Sequence, residues 1–81
     1  MWIIAQYSTF TKVIDTDYFA CINIEQTEDG GAIFFENKKG ELIYSIPIIC
    51  SKEDFEHIKG NITMSLGSDV TFIIPPEFLV H

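Results

Sequence analysis

Eighty-one residues are too few to divide into two independently folded units, so a single domain over residues 1–81 is expected. An apolar content of 47%, with 14% aromatic residues, argues against a disordered chain. Twelve acidic residues against five lysines and no arginine give a formal net charge of −7, which speaks against direct nucleic-acid binding, because phosphate neutralisation needs clustered Lys and Arg.

The compartment is read from equally simple features. Cys21 and Cys50 show no spacing of a disulfide framework, which suits reducing conditions. The start Met1-Trp2-Ile3-Ile4-Ala5-Gln6 has no basic region ahead of a signal-length apolar stretch. The apolar runs are far shorter than the roughly 20 residues that span a bilayer. A cytoplasmic protein with no membrane role is the expectation.

Taken in chain order, Trp2 to Tyr7 and Phe10 to Ile14 read as two strands of a hairpin, broken at Ser8-Thr9. Asp15-Thr16-Asp17 is a turn signal. From Tyr18 to Gln26 a third strand is predicted, with Tyr18, Ala20, Ile22 and Ile24 on one face and Phe19, Cys21, Asn23 and Glu25 on the other. Glu28-Asp29-Gly30-Gly31 has the chemistry of a hairpin turn with positive φ, and Ala32 to Glu36 follows as a short strand. Asn37-Lys38-Lys39-Gly40 turns the chain again, placing the one lysine pair at a solvated tip. Glu41 to Ile49 is the fifth strand, and Pro47 places it at a sheet edge or a bulge.

At Ser51 the period changes. Ser51-Lys52-Glu53-Asp54 resembles a capped, acidic helix start. Phe55, Ile58 and Ile62 form one apolar stripe, while Glu53, Glu56, Lys59 and Asn61 face away. Gly60 and the β-branched pair Ile62-Thr63 weaken the second half, so the helix covers about residues 51–60 or 51–66. Val70 to Ile74 is a sixth strand, stopped by Pro75-Pro76, and Phe78-Leu79-Val80 is expected to pack back on the body.

The predicted class is therefore α+β, mainly β: an antiparallel five- to six-stranded meander or partly closed barrel carrying one short helix. Trp2-Ile3-Ile4-Ala5, Tyr18-Phe19-Ala20-Cys21, Ile33-Phe34-Phe35 and Ile46-Pro47-Ile48-Ile49 are apolar on both faces. One short helix covers one face only. Either the sheet closes into a barrel or its second face is buried by another chain, and a homo-oligomer or protein partner is favoured slightly.

No constellation of residues carries chemistry. His57 has no nucleophile or orienting carboxylate at a telling spacing, and His81 is the last residue. Cys50 with His57 makes at most half a zinc site. Asp15 with Asp17, and Glu25 with Glu28 and Asp29, do not have the spacing of a calcium loop. Gly30-Gly31 lacks the helix and lysine of a phosphate loop. Abundant aromatics invite comparison with single-strand nucleic-acid platforms, but those also need a basic groove. No catalytic residue, metal or cofactor is predicted.

In composition and element order the chain resembles small isoleucine- and lysine-containing proteins of low-GC bacteria and their phages. That likeness implies no common activity. The leading expectation is a non-enzymatic protein-binding module, in sharper form an acidic inhibitor of the immunity or phage counter-defence type that blocks a basic surface. Its carboxylates would be Glu25, Glu28, Asp29, Glu53, Asp54 and Glu56. The alternatives are a small-molecule binder using Asn23, Tyr44 and Ser45 as inward polar groups, and a purely self-associating structural protein.

Overall fold

In the computed structural model, which describes Met1–Val80, the elements run β1 (Trp2–Gln6), β2 (Thr11–Asp15), β3 (Cys21–Thr27), β4 (Gly30–Glu36), β5 (Leu42–Ile49), α1 (Lys52–Ser65) and β6 (Thr71–Ile74). Single 3-10 turns lie at Thr16–Tyr18 and Pro76–Phe78. His81 lies outside the described residues. No helix among the described residues is long and apolar enough to cross a membrane.

The six strands form two three-stranded sheets, in the orders β2-β1-β6 and β3-β4-β5. The expected mainly β class with one helix holds, but the single antiparallel meander or partly closed barrel is corrected in two ways: the strands split into two sheets that form no closed barrel, and β1 pairs parallel to β6 while all other pairs are antiparallel. The division arises between β2 and β3. Instead of a strand from Tyr18 onward, the Asp15 carboxylate accepts the Asp17 N–H at 3.0 Å and a 3-10 turn follows, so the chain leaves the first sheet before Cys21 opens the second. Thr16, buried in this turn, donates both its N–H and its hydroxyl to the Met1 carbonyl, at 3.1 and 2.9 Å. Both donors are thereby satisfied out of water.

Alternation then decides what is buried. Ile3, Ala5, Ile14 and Ile74 from one sheet join Ile33, Phe35, Ile46 and Ile48 from the other in one apolar cluster. Phe55, Ile58 and Ile62 of α1 complete it. Ser51 caps the helix as its sequence implies, its Oγ accepting the Asp54 N–H at 3.1 Å. The helix takes the longer of its two predicted forms and runs through Gly60. Burial of Ile62 against the sheets outweighs the local propensity loss.

Two glycines set close approaches. A Cβ on Gly31 would fall on the Phe55 ring and on the Glu25 carbonyl, so the absence of a side chain lets α1 settle on β4. Gly30, at φ 139°, lies against the Ile48 carbonyl in a backbone region that L side chains rarely adopt.

Candidate functional site

The face of β2-β1-β6 turned away from the core is the most unusual surface. Because Ile3 and Ala5 are buried, Trp2, Ile4 and Gln6 project outward. Register places Ile4 between Val13 of β2 and Ile73 of β6, so three branched apolar side chains form a row across the sheet. Val13 is 59% exposed and Ile73 50%. Trp2, also substantially exposed, lies next in line, and with Val13 and the exposed Tyr18 it borders a shallow hollow. Asp15, paired in register with Trp2, borders this hollow, and Asp69 precedes Val70, whose carbonyl accepts the Trp2 N–H at 3.0 Å, whereas Asp17 lines a separate hollow with Cys21, Ile22 and Leu66.

The outer face of β3-β4-β5 differs. There Phe34 lies between Asn23 and Ser45, and Ala32 between Glu25 and Pro47. Asn23 Nδ2 donates to Glu36 Oε2 at 3.2 Å, so a polar pair crosses this surface. Its apolar residues are interrupted by these polar side chains. Only the first sheet offers a continuous apolar row, which is the kind of patch associated with docking.

The six predicted carboxylates are partly assembled. The Cys50 N–H donates to the Asp29 carbonyl at 3.1 Å, and Gln26 Nε2 to the Lys52 carbonyl at 3.4 Å. These bonds hold the β3-β4 hairpin tip, with Glu28 and Asp29, beside the helix start, with Glu53 and Asp54. Glu25 instead shares the outward face of the second sheet, and Glu56 lies with His57, Gly60, Asn61 and Met64 on the exposed side of α1. Among the described residues no three His, Cys, Asp or Glu side chains stand close enough to hold a metal ion.

Between α1 and β6 runs a groove of about 220 Å³, lined by Asp54, His57, Ile58 and Asn61 on the helix side and by Phe72, Ile73, Ile74, Pro75 and Phe78 opposite. Cys50 does not line it. Burial, followed by the nearby Asp54 carboxylate, pushes the Cys50 thiol above its ordinary pKa, which disfavours the nucleophilic thiolate. At the opposite rim Tyr7 stacks on Phe10 with ring centroids 4.5 Å apart, and Lys12 Nζ sits 4.1 Å over the Tyr44 ring, tying β2 to β5.

The polar groups suggested for a small ligand do not converge. Asn23 and Ser45 occupy the outward face of the second sheet, whereas Tyr44 is on its inner face opposite Phe35. Sequence reasoning singled out the two-sided strand at Trp2–Ala5 but missed Val13 and Ile73. The signal was present in Val13-Ile14 and Ile73-Ile74, adjacent apolar pairs that place one side chain on each face of a strand. Comparison of the chain with protein-family models, curated proteins and solved structures gives no match.

Proposed function

We propose that this chain is a non-enzymatic protein-binding module, of the acidic inhibitor type, that covers a basic surface of its partner through the outer face of β2-β1-β6. The observation that carries the reading is the Val13-Ile4-Ile73 row with Trp2 beside it, Asp15 at its end and Asp69 next to the adjoining Val70. An apolar centre with charged surroundings is the anatomy of a specific interface, in which exclusion of water supports affinity and the rim selects the partner. The remaining carboxylates, Glu25, Glu28, Asp29, Glu53, Asp54 and Glu56, extend the negative field that would steer a basic partner inward.

Self-association through the same face is the competing occupant. In a two-fold contact the patch meets its own copy, so the rim aspartates of both chains approach one another. At a net charge of −7 per chain this repulsion favours a basic-rimmed surface over a second copy.

Light scattering on a size-exclusion column, paired with capture from cell extract using wild type and Val13→Lys, tests the reading. The expected result is a monomer that retains a basic protein, with retention lost in the variant. A wild-type dimer that dissociates on Val13→Lys and captures nothing would assign the face to self-association.

A further inference from the structure

We infer that the groove between α1 and β6 is a socket for one basic side chain of the partner, arginine in first place; this rests on the proposed docking to a basic surface and names the anchor it uses. Size narrows the occupant first. At about 220 Å³ the groove falls short of the roughly 300–1,000 Å³ typical of small-molecule and cofactor sites. It suits a single long side chain.

The lining then selects the chemistry. Phe72, Pro75 and Phe78 give an apolar wall, and Asp54 is the one carboxylate among the lining residues, which include His57 but no lysine. A guanidinium satisfies both sides at once, because its plane stacks on aromatic rings while its N–H groups bond a carboxylate in a forked geometry. The Asn61 side chain, two helical turns along from Asp54, adds an amide oxygen that accepts a further N–H. An ammonium would find the carboxylate but lacks the flat face for the ring wall. A neutral apolar side chain would fill the apolar wall but give the Asp54 carboxylate no counter-charge.

Position links the groove to the docking face. Ile73 belongs both to the outward row and to the groove lining, so a partner lying across Val13, Ile4 and Ile73 reaches the socket at the edge of β6 without leaving the surface. Arginine is among the residues that most often dominate interface energetics, and such anchors act best in pockets beside an apolar centre.

The test uses the isolated full chain and needs no partner. Isotope-labelled protein is titrated with N-acetyl-arginine methylamide and, separately, with the neutral isostere N-acetyl-citrulline methylamide, following backbone amide shifts by NMR. Saturable shifts centred on Asp54, Asn61 and Phe72–Ile74 are expected for the arginine probe alone, weakened roughly three- to tenfold in Asp54→Asn. Asn61→Ala, which leaves the helix start untouched, should weaken binding by a smaller factor. Equal shifts with both probes would make the groove an apolar ligand pocket. Shifts spread over Glu28, Asp29 and Glu53 would reduce the effect to general cation attraction. Either result overturns the socket, and so does the absence of any shift. The docking reading would still stand or fall on Val13→Lys.

Discussion

A missing methyl group at Gly31 fixes how closely the helix approaches the sheet. Because a Cβ there would meet both the Phe55 ring and the Glu25 carbonyl, Gly31→Ala is expected to destabilise by roughly 1–3 kcal/mol, the usual range for overpacking. Phe55 is fully buried, and Phe55→Ala should cost roughly 3–5 kcal/mol. The two costs are not additive: with the ring gone, Gly31→Ala keeps only the part due to the carbonyl, and urea denaturation of the double variant measures the difference. Tyr7 supplies a pH dependence at the same scale. Burial raises its pKa from 10.0, with a hydrogen bond to Tyr44 and the proximity of that second phenol acting in the same direction and Lys12 opposing them. A raised folded-state pKa means that the folded chain holds the proton more tightly. The associated stability is complete below pH 10 and is lost as pH rises through the folded value. Thermal melts across that alkaline range should show a shallower fall in Tyr7→Phe than in wild type.

Elements were the most legible level of the sequence. Ser51 was readable as a cap because one side-chain oxygen suffices, and the Phe55, Ile58 and Ile62 stripe was readable because helical period leaves no alternative face. The end of the helix was not, since Gly60 argues locally for a stop and only tertiary burial of Ile62 argues against it. That conflict predicts a gain. Nothing lies within 4 Å of a Cβ built on Gly60, and its φ is not in the left-handed region, so alanine meets no obstacle there. Gly60→Ala should stabilise by about 0.5–1 kcal/mol, visible as a rise of several degrees in the melting temperature. A fall would show that Gly60 has a role beyond the helix. Pairing was illegible for a different reason: β1 is apolar on both sides, so its pattern names no partner, and parallel pairing with β6 depends on the return path of α1, which no local signal encodes. The acids at the hairpin tip and the helix start were legible as residues, but their meeting depends on the Cys50 to Asp29 hydrogen bond, between positions 21 residues apart in sequence.

For the whole molecule, the proposed partner binding would draw separately on charge and on apolar surface, and kinetics distinguishes the two. The negative field acts while the partner is still distant, so it sets the association rate, and salt screens it beyond roughly 8 Å at physiological ionic strength. In the proposed complex the Val13-Ile4-Ile73 row would act only after water has been expelled, so it would set the dissociation rate. Raising the salt concentration should therefore slow association with little change in dissociation, whereas Val13→Lys or Ile73→Lys should chiefly accelerate dissociation. Both side chains are about half exposed or more, so the substitutions should leave the melting temperature of the free chain close to that of wild type. Surface plasmon resonance with the captured partner gives both rates. If the lysine variants instead lowered the melting temperature by many degrees while binding stayed unchanged, the row would belong to the stability of the sheet, and the docking surface would have to be sought elsewhere on the molecule.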